Sequence, residues 1–248
     1  MKMLAKKKLK KYVTKGIRKI KHRKGFGVHS PFAFSLITQV IDEKFPFYAY
    51  DQIRELRKKY VTSRLPIPVP GRASRKGYSQ KQLFLLYRLI NRFSPQRILE
   101  VNNNGGIATM VLSMPHSKAE VLSVGNQPEK MRQAARIIAG EKPRNVHLTE
   151  KDPVEALAEL PAGYKADFIL IHRFPKGYCA EQMFRVVSPR MHSHTLVLVE
   201  AIHMDPEMRK LWGLFKNDPA VRVTMDMYEV GLAVNHDKLY KQNYIVAF

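Results

Sequence analysis

Chemistry-bearing side chains in this 248-residue sequence gather just after short apolar runs. Glu100 ends the run Ile98-Leu99-Glu100 and is followed, after Val101, by Asn102-Asn103-Asn104-Gly105-Gly106, a turn rich in Asn and Gly that opens a helical stretch. Such a turn lets backbone approach a ligand closely, because glycine carries no side chain and asparagine tolerates a positive φ. His172, Glu200 and His203 follow two later runs. Two imidazoles and one carboxylate are a ligand set for iron or zinc, and a neutral imidazole at either histidine suits a general base toward a hydroxyl. Against both stands chance, since nine histidines scattered on a basic chain will place two near a glutamate. Cys179 is the single cysteine and reads as a small buried hydrophobe on a helix. Met204, Met208, Met225 and Met227 read as core.

The elements that must position these groups alternate. A helix carrying Leu83, Leu86, Tyr87, Ile90 and Phe93 stops at Ser94-Pro95, and apolar β-rich runs follow at 98–101, 121–124, 146–148, 168–171 and 196–199. Helical stretches separate them, two of which start with Asp152-Pro153 and Asp205-Pro206, an N-cap acid before a first-turn proline. Near-continuous apolar strands between helices predict a doubly wound α/β fold with a parallel sheet buried on both faces. Ligands bind such sheets outside the carboxyl ends of the strands, where the groups above fall. Residues 221–227, 230–234 and 243–248 lack a long helix between them and predict antiparallel strands at the end of the sheet. Upstream, His29-Ser30-Pro31 starts a helix bearing Phe32, Leu36, Ile37, Val40 and Ile41, which Phe45-Pro46-Phe47-Tyr48 breaks; a charged helix is expected over 49–62. Residues 64–78 hold three Pro, two Gly and four Lys or Arg and read as a linker. The expected organisation is an arm over 1–24, a helical region and linker over 25–78, and an α/β domain over 79–248.

Charge is distributed unevenly. Lys and Arg total 43 against 21 Asp and Glu, a net charge of +22, and residues 1–24 hold twelve Lys or Arg and no acid. Within that arm Leu4, Leu9, Val13, Ile17 and Ile20 recur at mostly three-to-five-residue steps, which predicts a basic amphipathic helix. Its chemistry fits an anionic surface, either a nucleic-acid backbone or acidic lipid, and equally a solvated tail that adds solubility. No apolar run approaches the roughly 18 residues of a membrane span, and a lone cysteine excludes an internal disulfide. The expected location is cytoplasmic, with peripheral attachment to a membrane through the arm as one reading.

The stretch Leu99-Glu100-Val101-Asn102-Asn103-Asn104-Gly105-Gly106-Ile107 resembles motif I of the class I S-adenosylmethionine-dependent methyltransferases, where an acid precedes a Gly-rich turn. Residues 196–203 and 223–232 look like the last third of the O-methyltransferase-like branch, and 22–32 like the leader of a bacterial group of this type. The resemblance implies a Rossmann-like methyltransferase sheet with antiparallel C-terminal strands, S-adenosylmethionine as cofactor, and cofactor contacts from Glu100, Asn102, Gly106, Asn126 and Asp152. Asn102 stands where the family has its first glycine, and Gly106 matches the later one. Ser123-Val124-Gly125-Asn126 lacks the acid that accepts both ribose hydroxyls, leaving Asn126 to offer one carbonyl. Asp152 falls where a polar residue reaches the adenine, although an N-cap role is the simpler one.

The family's metal-binding acids are replaced by His172-Arg173 and by Ala201 beside Glu200. One carboxylate next to Arg173 suits a hard cation poorly, so no metal is expected. No catalytic residue and no methyl acceptor is assigned. The expected protein is methyltransferase-like with S-adenosylmethionine binding weakened or lost. The alternative is a non-catalytic α/β binding module held on nucleic acid or acidic membrane by its arm, and hydrolysis at the two histidines is a minor third option.

Overall fold

The computed structural model describes residues 12–14, 16–22, 25–62, 78–116 and 118–248. The linker expected over 64–78, except Tyr78, and the arm's Leu4 and Leu9 lie outside the described residues. Eight strands make up a mixed α/β sheet, mostly parallel with antiparallel C-terminal strands, and the chain divides into two compact units built from non-contiguous stretches.

One unit comprises 45–172 with 186–190. It holds helices α2 (Ala49–Thr62), α3 (Gln80–Phe93), α4 (Ile107–Ser113), α5 (Pro128–Glu141) and α6 (Pro153–Glu159), and strands β1 (Arg97–Val101), β2 (Glu120–Gly125), β3 (Val146–Glu150) and β4 (Phe168–Ile171). The strands run β3-β2-β1-β4, all parallel. Local sequence explains the helix ends. Ser79 caps α3 in a reciprocal box with Gln82, and Ser94 ends it at φ 47°. Pro128 and Pro153 occupy first turns, where a missing N–H costs nothing. Tyr50 of α2 stacks on Phe84 of α3 at 3.7 Å between centroids, so helices on either side of residues 64–78 share this unit. The parallel strands bury Ile98, Leu99, Val101, Phe168, Ile169, Leu170 and Ile171 completely, as the continuous apolar runs require.

The other unit joins the described residues up to Lys44 with 173–185 and 191–248. It contains α1 (Pro31–Leu36), which continues as a π-helical turn over Ile37–Ile41, then α7 (Ala180–Val187, whose last two residues fall in the first unit), β5 (Leu196–Glu200), α8 (Pro206–Asn217), β6 (Val221–Asp226), β7 (Val230–Asn235) and β8 (Gln242–Ile245). Their order is β5-β7-β6-β8. β7 is antiparallel to β5 and β6, as the expected antiparallel finish requires, and β8 runs parallel to β6. The reason is placement: β8 reverses direction after β7, yet pairs on the far side of β6. Gly231 of β7 lets Trp212 of α8 lie flat on the strand, because a Cβ there would stand 2.7 Å from the indole ring. Met208, Met225 and Met227 are fully buried, whereas Met204 is exposed in the turn between β5 and α8, which corrects its assignment to the core.

The arm is less separate than its charge suggests. Residues 16–21 are helical, and Arg18 donates to the Asp226 carboxylate at 2.6 Å and to its backbone carbonyl at 2.9 Å, over the Tyr228 ring. The Ala247 N–H also donates to His22 O at 3.2 Å. Among the described residues no helix is long and apolar enough to cross a membrane.

Candidate functional site

The carboxyl ends of β1, β2 and β4 converge on Glu100. Register places Ser123 opposite Glu100 on β2 and Leu170 opposite it on β4, and the two-residue period of a strand brings His172, two positions on, to the same face. A hydrogen bond from the His172 N–H to Val101 O at 3.1 Å extends that ladder. The turn after β1 and the start of α4 then lower Asn103 and Thr109 onto the carboxylate.

Glu100 is fully buried and its oxygens have several partners. Oε2 accepts from the Ser123 and Thr109 hydroxyls, each at 2.6 Å, and from the Asn103 amide at 3.3 Å. Oε1 lies 2.7 Å from Nε2 of His172, and Nδ1 of that ring lies 2.8 Å from the Tyr78 hydroxyl. With Glu100 as a carboxylate, Nε2 carries the ring proton and Nδ1 accepts from the tyrosine O–H. The Asn103 amide also donates toward Ser123 Oγ at 2.7 Å and Thr109 Oγ1 at 2.9 Å. Its carbonyl Oδ1 accepts the Gly105 and Gly106 N–H groups at 2.8 and 3.1 Å. Asn103, Ser123, Thr109 and His172 are each at most 1% exposed. This is a closed polar network that ties strand ends, turn and helix together.

Compared by sequence, no protein-family model and no curated protein matches the chain. Compared by structure, it is similar to the S-adenosylhomocysteine-bound methyltransferase PaMTH1 from Podospora anserina. The identity there is 15% and the TM-score 0.62, with 84% of this chain and 97% of that one covered. An O-methyltransferase from Bacillus cereus in complex with S-adenosylhomocysteine gives 17% and 0.59, covering 79% and 96%. The S-adenosylmethionine complex of TomG from Streptomyces achromogenes, an O-methyltransferase of tomaymycin synthesis, gives 14% and 0.56, covering 77% and 91%. The fold is that of the O-methyltransferases.

Within this methyltransferase fold, the residues singled out by sequence take definite places. Asn102 is buried at φ 65°, so the turn keeps a left-handed residue without glycine. Gly106, at φ 86°, caps α4, and a Cβ there would stand 2.6 Å from the Ala134 Cα of α5. The glycine is thus required by the close approach of turn and helix. Gly106→Ala is expected to cost about 2 kcal/mol through backbone strain and overpacking, measured as a lower urea midpoint; an unchanged midpoint would show that α5 moves aside. At Gly125 a Cβ would stand 3.0 Å from Met131 Sδ and 3.1 Å from Asn103 N. Asn126 donates its amide to Asp152 Oδ2 at 3.0 Å, while Asp152 Oδ1 accepts from the Val154 and Glu155 N–H groups at the start of α6. Asp152 therefore is an N-cap whatever else it does.

Each within its own unit, His172 and His203 meet different carboxylates. Among the described residues, the one group of metal-ligating side chains with ligand atoms all within 4.8 Å is Cys179, Glu181 and Glu207. His172 faces Glu100, and His203 Nε2 lies 2.6 Å from Asp226 Oδ2 with its ring stacked on Tyr228. Cys179 stands one residue before α7, half-buried, and donates to Glu181 at 3.0 Å, which corrects the expectation of a buried helical hydrophobe. Lys210 pairs with Glu181 at 2.5 Å and, with Cys179, pulls its carboxyl down to about 2.

Sequence reasoning missed Asn103, Ser123, Thr109 and Tyr78. The first sat unremarked between two residues that were weighed, and the last at the edge of an expected linker. Position 123 lies level with Glu100 once the neighbouring parallel strands are aligned, a signal that strand order would have revealed.

Proposed function

We propose that this is a methyltransferase-fold protein whose cofactor crevice is satisfied by its own side chains, and that it works without transferring a methyl group. The observation that carries this is Asn103: its carbonyl takes up the Gly105 and Gly106 N–H groups, and its amide faces Glu100, Ser123 and Thr109. A Gly-rich turn serves a nucleotide-like ligand by offering such N–H groups and open space beside them. Here the N–H groups are engaged. The place of a ribose-binding acid, at Gly125, is closed by Met131 and the Asn103 backbone. The residues present therefore fit S-adenosylmethionine poorly.

Energetics point the same way. A carboxylate on two ribose hydroxyls contributes about 1.5–3 kcal/mol per charge-assisted bond. Losing about 2.7 kcal/mol weakens binding roughly a hundredfold. Asn126, which already donates to Asp152, recovers at most part of that.

Calorimetric titration with S-adenosylmethionine and S-adenosylhomocysteine tests the reading. The expected result is no saturable heat at micromolar cofactor. Tight binding of either compound would overturn it and return the chain to the active enzymes.

A further inference from the structure

Helices on a soluble protein turn their apolar side inward and their charges outward. Residues 16–21 do the reverse. Arg18 is the side chain that packs down, only 11% exposed in its contact with Asp226, while Ile17 is 48% and Ile20 82% exposed. At about 100° per residue, Ile17 and Ile20 share one side of the helix and Arg18 falls on another. Tyr12, Val13 and, after the helix, Phe26 are exposed as well, and so are Lys19 and Lys21. The Arg18 contact is held from three sides: carboxylate and carbonyl of Asp226, and the Tyr228 face 5.3 Å from the guanidinium. His203 completes the cluster on the other carboxylate oxygen.

From this inverted packing we infer that the segment from Tyr12 to Phe26 is an interfacial anchor for an acidic lipid surface. Arg18 pins it to the protein, and its isoleucine side enters the boundary between headgroups and acyl chains. Two independent properties select lipid. The eleven Lys and Arg of residues 1–24 besides Arg18, with no acid among them, complement an anionic surface. Exposed Ile17, Ile20 and Phe26 add apolar burial that a bilayer boundary supplies and a phosphate backbone does not. With no described helix able to cross a membrane, the segment lies on the surface. This inference stands on observations separate from the cofactor crevice, and holds whether or not that crevice binds a ligand.

Flotation of the full chain with phosphatidylcholine vesicles, with and without phosphatidylglycerol, tests it alongside duplex DNA at the same salt. Binding is expected to the acidic vesicles alone among the two lipids. The charge-neutral pair Ile17→Ser and Ile20→Ser is expected to weaken that binding roughly tenfold or more, since each isoleucine forfeits apolar burial, and to leave DNA binding unchanged. The variant Ile20→Trp is expected to add an indole emission that shifts to the blue on acidic vesicles. Failure of the full chain to float, equal flotation of the serine variant, or an added indole emission unmoved by vesicles would each overturn the proposal. Tighter binding to DNA than to acidic vesicles would also overturn it and make the arm a nucleic-acid contact.

Discussion

Glu100→Ala is expected to lower folding stability by about 3–5 kcal/mol, among the largest effects a single substitution has on this chain. Its carboxylate is fully buried and collects donors from Ser123, Thr109, Asn103 and His172. Alanine leaves the Ser123 and Thr109 hydroxyl hydrogens and the His172 N–H facing a void, while Asn103 keeps its contacts to Ser123 and Thr109; buried polar groups without partners each cost about 1–3 kcal/mol. Glu100→Gln is the informative control. A glutamine amide must present N–H₂ to one side, and on the side of Oε1 His172 can reverse its role. If its proton moves to Nδ1, Nε2 accepts from the glutamine and Nδ1 donates to the Tyr78 hydroxyl, 2.8 Å away. Urea denaturation should therefore rank the native chain first, glutamine second and alanine last. An alanine variant within about 1 kcal/mol of native would show that the network is not what holds the strand ends together.

A second large effect is expected at Asp226. Burial by itself raises the carboxyl, but hydrogen bonds from His203, Arg18 and the Tyr228 N–H outweigh it and hold the group well below the usual carboxylate range. A depressed folded-state value contributes stability that is fully present above the unfolded value of about 4 and is lost as pH falls toward the folded one. Asp226→Asn is accordingly expected to cost about 2–3 kcal/mol near neutral pH, because Arg18 loses its counter-charge and His203 a carboxylate hydrogen-bond partner. Below about pH 4 the native chain should converge on the variant as its own carboxyl takes up a proton. Urea midpoints measured down this range check the sign; a gap that stays constant to the lowest pH would remove Asp226 from the account. Removing residues 1–24 deletes Arg18 and so should reproduce part of this loss.

Much of the fold was legible because its signals are local. Ser30-Pro31, Asp152-Pro153 and Asp205-Pro206 mark helix starts by capping chemistry, and the runs at 98–101 and 168–171 declare strands buried on both faces. The candidate site was legible only in part. Glu100 and His172 stood out as types, but their pairing depends on strand order β2-β1-β4, which no local pattern encodes. Reading His172 as a metal ligand or base failed to foresee that its partner lay on the neighbouring strand. Asn103 was overlooked because an asparagine within an Asn-Asn-Asn-Gly-Gly turn reads as backbone chemistry, whereas its side chain closes the network. Arg18 escaped for the opposite reason: one basic residue among twelve carries no mark of the carboxylate it meets more than two hundred positions later.

The seat of Trp212 against Gly231 has a spectroscopic consequence. It is the only tryptophan of the chain, and it lies in the unit built on β5, β6, β7 and β8. The aromatic cluster of Phe47, Tyr50, Phe84 and Tyr87 lies in the unit that holds Glu100. Indole emission therefore follows one unit, while the near-ultraviolet dichroism of the tyrosines weights the other. Superimposable denaturation curves from the two signals would mark a single cooperative transition, and displaced ones would reveal units that melt in sequence. The native chain thus carries two built-in reporters, with no label required.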